Sequence, residues 1–313
     1  MDGAPDVENT TVFCARIRPM IQRGLYLLCC AVLLCTTSQN QAVAQGTPLQ
    51  PPASPAIQVY LTATGKADSA VILNPTELSA TIDKHPAQVT SLRSAKDEKL
   101  LFALVIDTSA SEDQDYEAIK KAAILLFQSL ATDGNQGYIV LFNDTSLISK
   151  RPLQLEEARE TINGAKFGGG TALYEAIQKT CTQLLSRSRN PDFPRRAVIL
   201  ISDGDDNQSY ITLEEADEMA AAEGIAIFSL NTTNIVWGKG KQILSEASNS
   251  TGGKAILYKT LEEGVVPLLT AINGQWVLSL VPEQAPNKKW HSLVVKTKQR
   301  GISLAVPTKI ILH

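Results

Sequence analysis

Residues 100–111 read LLFALVIDTSAS. Seven apolar residues run unbroken from Leu100 to Ile106 and stop at Asp107. A continuous run of this kind suits a strand covered on both faces, whereas a strand with one wet face alternates. Three similar runs follow: YIVLF at 138–142, AVILI at 197–201 and IAIFSL at 225–230. Helical spacing lies between them. Tyr116, Ile119, Ala123, Leu126 and Leu130 fall three or four residues apart, and so do Leu173, Ile177, Cys181 and Leu184. Thr212 and Glu215 form a capping box that starts a further helix. Gly252-Gly253 separates a helical stretch from a short strand at 255–258. Strand–helix alternation of this sort predicts a doubly wound, Rossmann-like α/β domain with a mainly parallel central sheet. It spans residues 99–273.

Outside that domain the pattern changes. Ile57, Val59 and Leu61 alternate with Gln58, Tyr60 and Thr62; Val71-Ile72-Leu73 and Leu78 to Ile82 extend the β character. After Gln275, the stretches 276–281, 290–295 and 302–306 read as strands again. The segments 57–98 and 274–313 are each too short to bury a core alone. They are expected to pack together as one small β-sandwich, with the α/β domain inserted between them.

Three loops carry the chemistry. Asp107-Thr108-Ser109-Ala110-Ser111 follows the first strand. Gly168-Gly169-Gly170-Thr171 opens the Leu173 helix, and Ser202-Asp203-Gly204 follows the 197–201 strand. Their donors are all oxygens, which suits a hard divalent cation. Residues 107, 109 and 111 of a turning loop can face one centre, and the glycines let the backbone bring Thr171 close. Asp107 and Asp203 both end strands, where ligands bind in doubly wound sheets.

Asp-x-Ser-x-Ser, a distal Thr and a distal Asp-Gly together resemble the metal-ion-dependent adhesion site of von Willebrand factor type A domains. The matching text is ALVIDTSAS, GGGTALYEAI and VILISDG, in the family's order and spacing. The flanks resemble those of the secreted, Acidobacteria-type proteins related to this family. The resemblance implies a sheet of order C-B-A-D-E-F, with the antiparallel edge strand C at Thr145 to Lys150. It implies a cation held by the hydroxyls of Ser109, Ser111 and Thr171, with Asp107 and Asp203 binding directly or through water. Mg²⁺ is the expected ion; Mn²⁺ and Ca²⁺ are the alternatives. Gly170 and Asp205 would stand on the partner-binding rim, with Asp206 beside them. In the family the last helix, here Leu261 to Asn273, can shift on ligand binding. Glu112 departs from the pattern, since a hydrophobic or small residue is usual there. It is expected to face solvent; the alternative is that it adds negative charge near the cup and favours Ca²⁺.

Rival chemistries are weaker. Asp107 and Ser109 could simply cap the next helix. Asp203, Asp205, Asn207 and Glu214 fall at EF-hand positions, but Gln208 replaces the required glycine and a strand precedes. Ser109 lacks a Gly-x-Ser-x-Gly elbow, and none of the three histidines, His85, His291 and His313, is placed to serve it. The glycine triplet is not followed by Gly-Lys-Ser/Thr, so it is no phosphate loop. The chain is therefore expected to bind and not to catalyse. Trp237, Trp276 and Trp290 read as core or interface anchors.

Composition agrees. Of 313 residues, 44% are hydrophobic and 19% charged, an ordinary globular balance. With 29 Lys+Arg against 32 Asp+Glu, the formal net charge is −3, and no basic excess points to nucleic acid. The apolar run LYLLCCAVLLC at 25–35 is too short to span a bilayer, which takes about 20 apolar residues. With Arg23 before it and Ala42-Val43-Ala44 after it, the run predicts a signal peptide over residues 1–44, followed by a linker at 45–56. Met20 is an alternative start, and a retained anchor is the alternative reading. No membrane span is expected in the mature chain. Four of five cysteines fall in this leader; Cys181 remains, on an apolar helix stripe, as a buried small side chain.

Two functions follow. One is a secreted or periplasmic adhesion module that captures the Asp or Glu carboxylate of a protein partner through a divalent cation. The other is a structural or assembly factor of the cell envelope that binds through its β segments, with the metal only stabilising the fold.

Overall fold

A run of eight buried residues, Leu100–Asp107, forms strand β4 at the centre of a six-stranded sheet. The computed structural model describes residues 56–112, 115–132, 134–186, 190–233, 238–257, 260–283 and 287–312. The expected leader, Trp237 and Tyr258 lie outside the described residues. The remaining strands of this sheet are β5 (Gln136–Phe142), β6 (Ser146–Ile148), β7 (Arg195–Ser202), β8 (Ala226–Asn231) and β9 (Ala255–Ile256). Their order is β6-β5-β4-β7-β8-β9, parallel throughout except for β6, which runs antiparallel to β5. This is the expected arrangement, with β6 as the antiparallel edge strand.

Alternate side chains of β4 serve opposite faces. Leu100, Phe102, Leu104 and Ile106 pack under α1 (Tyr116–Leu130), α2 (Leu155–Asn163) and α6 (Leu261–Asn273). Leu101, Ala103 and Val105 pack under α3 (Leu173–Lys179), α4 (Leu213–Glu223) and α5 (Lys239–Ser250). A strand wedged between two helical layers has no wet side, which is why its sequence shows no alternation. Cys181 is fully buried in the second layer. Thr212 and Glu215 make the expected capping box at the start of α4: Thr212 Oγ1 accepts from the Glu215 amide, and the Glu215 carboxylate accepts from the Thr212 amide.

The flanking segments meet in a second sheet. It contains β1 (Ile57–Thr64), β2 (Leu78–Ile82), β3 (His85–Ser94), β10 (Gln275–Pro282), β11 (Trp290–Thr297), β12 (Ser303–Ala305) and β13 (Lys309–Ile311). The order is β12-β1-β10-β3-β2-β11-β13, with antiparallel pairing throughout. N- and C-terminal strands interleave, so neither segment can complete the sheet alone. The two layers expected of a sandwich are one continuous sheet, curled until β11 and β12 touch. It encloses Leu61, Ala63, Ile82, Leu278, Leu280 and Leu293. Trp276 packs partly buried against this core, while Trp290 is more exposed.

Val71-Ile72-Leu73 is not a strand. Leu73 is buried but Ile72 is 83% exposed, and a side chain takes the place of a neighbouring strand. Gln299 Nε2 donates to the Ile72 carbonyl, and Gln299 Oε1 accepts from the Asn74 amide.

Both sheets lie in one compact unit, Gln50–His313. α6 runs into β10 through Gly274 alone. Buried Arg195, at the start of β7, ties that junction. It donates to Gln275 Oε1 (3.0 Å), the Ala95 carbonyl (3.2 Å) and the Ile272 carbonyl (2.7 Å). On the far side Lys309 of β13 pairs with Glu214 and Glu218 of α4, at 2.8 and 2.7 Å.

Asp217, on the same helix, supplies a pH test. Burial, reinforced by Glu246 and Glu214 and opposed by the Ser250 hydroxyl, lifts its carboxyl to about 6. The folded chain thus keeps a proton that the unfolded chain has released. This favours the fold below the ordinary carboxylate value and is lost as pH rises towards 6. At about 1.4 kcal/mol per pKa unit, the penalty above pH 6 is roughly 1–3 kcal/mol. Asp217→Asn should therefore stabilise the chain by about that amount at pH 7 and by almost nothing near pH 4. Urea titrations at the two pH values measure the difference.

Candidate metal centre

The strand order reverses between β4 and β7, and helices leave that point towards opposite faces of the sheet. The crevice beyond their carboxyl ends is where a doubly wound sheet accepts a ligand. Asp107 closes β4 and Ser202-Asp203 closes β7.

The three loops are sewn to one another in all three pairings. Between the first and second, the Ala110 amide donates to the Gly169 carbonyl and the Gly168 amide to the Thr108 carbonyl. Between the second and third, the Asn207 and Gln208 amides both donate to the Thr171 carbonyl, and the Thr171 amide donates to Asn207 Oδ1. Between the first and third, Ser202 Oγ donates to Asp107 Oδ2 at 2.7 Å, and the Asp203 amide to Glu112 Oε1 at 2.9 Å. The glycines are needed for this closeness. Gly169 has φ +86°, and a Cβ on Gly170 would sit 2.5 Å from Gln208 Cγ.

Asp107 and Ser109 are fully buried, Thr171 nearly so, Asp203 and Gly170 half-buried, and Ser111 and Asp205 exposed. The Ser109 and Ser111 hydroxyls lie 3.1 Å apart. Asp107 Oδ1 accepts from the Ser109 amide at 2.9 Å. One carboxylate oxygen each from Asp107, Asp203 and Glu112 lies within 4.8 Å of the others.

Glu112 therefore does not face solvent. It is 3% exposed, and its Oε1 also accepts from the Thr232 hydroxyl at 2.7 Å. The short helical turn Ala110–Glu112 folds the side chain back under the loop towards β7 and the end of β8. Asp206 leaves the expected rim as well. It accepts from the Tyr174 amide and the Ser209 hydroxyl, holding the first turn of α3. Asn207 turns to the Thr171 amide, so the EF-hand positions do not converge. Sequence reasoning missed Thr232 and did not foresee the bonds that Ser202 and Asn207 make; the partners of all three lie 36 to 120 residues away.

Burial drives the Asp107 carboxyl up to about 6, with the Ser109 and Ser202 bonds opposing and Asp203 adding. Burial drives Glu112 up to about 8, with the Thr232 bond opposing and Asp107 and Asp203 adding. The charges acting on both groups are other carboxylates. A divalent cation would supply a counter-charge to such a set. The all-oxygen donors fit Mg²⁺, Mn²⁺ or Ca²⁺. The carboxylate cluster is thus compatible with a metal-ion-dependent adhesion site.

The pattern of the von Willebrand factor type A domain matches residues 102–263. No curated protein sequence matches the chain significantly. Among solved structures, a von Willebrand factor type A protein from Catenulispora acidiphila is 12% identical with a TM-score of 0.48, over 84% of this chain and 75% of that one. Proximal thread matrix protein 1 of the mussel byssus, in a form with a zinc-occupied MIDAS motif, is 16% identical with a TM-score of 0.48. That match covers 61% of this chain and 49% of that one. An aerotolerance-related membrane protein from Bacteroides fragilis is 15% identical with a TM-score of 0.45, over 56% of this chain and 98% of that one. With its pattern matched over more than half of the sequence, and its sheet order, three loops and carboxylate cluster in place, the chain belongs to the von Willebrand factor type A domain family.

Proposed function

We propose that this protein is a secreted or periplasmic adhesion module that captures an acidic side chain of a protein partner at a divalent cation held in the cup. The observation that carries this reading is the convergence of the Asp107 and Asp203 carboxylates at the β4–β7 switch point, in loops that also carry the paired Ser109 and Ser111 hydroxyls. Asp107, Ser109, Ser111, Thr171 and Asp203 would hold the ion. Once bound, it would act as an electrophile for the carboxylate of an incoming Asp or Glu. Asp107 and Ser109 are buried and already fixed by hydrogen bonds, so the protein side needs little reordering on binding. Gly170 and Asp205 would stand on the partner-binding rim; Gly170 is half-buried and Asp205 exposed.

No helix among the described residues is long and apolar enough to cross a membrane. The leader pattern at 1–44 supports export.

A second reading rests on the separate core of the curled sheet: an envelope assembly factor that binds through that sheet, with the metal supporting the fold. Capture from the envelope fraction of the source organism separates the two. Under the adhesion reading the partner is retained with Mg²⁺ or Ca²⁺. It is lost with EDTA, and with Asp107→Ala, while the far-UV circular dichroism is unchanged. Capture that survives EDTA contradicts it.

A further inference from the structure

We infer that Glu112 is a third carboxylate ligand of the cup, beyond the five positions that the family's motif supplies, and that it makes the site prefer Ca²⁺ to Mg²⁺. The inference rests on the reading that the cup holds a cation.

Three observations carry it. Glu112 is buried, although it follows an exposed serine in a surface loop. Its direction is set by two donors, the Asp203 amide at 2.9 Å and the Thr232 hydroxyl at 2.7 Å. Both bonds end on Oε1, and one Glu112 carboxylate oxygen lies within 4.8 Å of oxygens from Asp107 and Asp203. The bond from the Asp203 amide already brings Glu112 beside that acid; its approach to Asp107 as well turns it towards the cup.

The consequence for the ion is chemical. Mg²⁺ demands a tight octahedron, sheds water reluctantly and is usually held through one or two carboxylates. Ca²⁺ takes about six to eight oxygens in a flexible shell, and its affinity rises with the number of charged ligands. Three carboxylates with adjoining hydroxyls match the second description. The larger shell also keeps room for a partner's carboxylate.

Glu112→Gln isolates the charge, because the amide oxygen can still accept from the Asp203 amide and the Thr232 hydroxyl. Isothermal titration calorimetry of the full chain with CaCl₂ and with MgCl₂, at fixed pH and ionic strength, reads the effect. The wild type should bind Ca²⁺ at least about tenfold tighter than Mg²⁺, and the variant should lose about tenfold for Ca²⁺ and much less for Mg²⁺. A variant that binds Ca²⁺ as the wild type does overturns the inference, and so does a wild type that prefers Mg²⁺. The wild-type ratio decides the matter even if the variant fails to fold. Flat wild-type traces with both ions and with Mn²⁺ would instead remove the cation cup itself, a separate outcome.

Discussion

Asp107→Asn should lose cation binding by at least about 100-fold while the metal-free fold becomes no less stable. The two halves of that result have one cause. Asp107 is fully buried at the end of β4, with Oδ1 accepting from the Ser109 amide and Oδ2 from Ser202 Oγ. Asparagine keeps the shape and the first bond, and the Ser202 hydroxyl can rotate to accept from the new amide. What disappears is a buried negative charge whose carboxyl burial has lifted to about 6. At pH 7 without metal that charge is a liability, so the variant should melt at or above the wild type. With cation at about 100 times its dissociation constant, the wild type should gain roughly 2.7 kcal/mol and the variant no more than about 0.4 kcal/mol. Thermal melts with EDTA and with millimolar CaCl₂ show the crossing. A variant that melts well below the wild type in EDTA would mean that Asp107 is a structural acid.

Arg195→Met should produce the largest loss of stability, about 3–5 kcal/mol, with cation affinity nearly unchanged. The guanidinium is buried where the last turn of α6, the start of β10 and the connection before β4 converge. Methionine fills much of the volume but takes the guanidinium donor from the Gln275 and Ile272 oxygens and leaves the Ala95 carbonyl with the Glu98 amide alone. It also removes a positive charge that acts together with the Glu98 carboxylate. Calorimetry should show one transition, shifted down by about 10 °C or more. A shift under about 2 °C would mean that the two sheets are joined by apolar packing alone. The same residue bears on the last helix. Arg195 caps α6 at the Ile272 carbonyl, and Gly274 is the single residue between α6 and β10. Any sliding of α6 would therefore pull a central strand of the curled sheet.

The α/β domain was legible because its strands are sandwiched. Seven unbroken apolar residues before Asp107 have few other uses in a soluble chain, and the intervening helical spacing left little freedom. The three loops were legible as a set, since they follow strands or open helices at recognisable intervals, and the structure brings the Asp107 and Asp203 carboxylates of two of them together. The second sheet was harder. Its β2–β3 hairpin turns on Asp83-Lys84, both at positive φ (49° and 69°), without the Asn-Gly or Asp-Gly that usually marks such a turn. Asp83 is held there by bonds from the Ser292 amide and hydroxyl and by His291, more than 200 residues away. Val71-Ile72-Leu73 misled for the converse reason: β-branched residues suit a strand, but no strand lies alongside. Glu112 was illegible because its partners, Asp203 and Thr232, are distant in sequence and no local pattern announces them.

Anomalous diffraction from crystals grown with millimolar Mn²⁺ tests the central claim most directly. The account predicts one strong peak beyond the carboxyl ends of β4 and β7, ligated by Ser109, Ser111 and Thr171, with Asp107, Asp203 and Glu112 around it. Well-ordered loops with no peak among those side chains would contradict it.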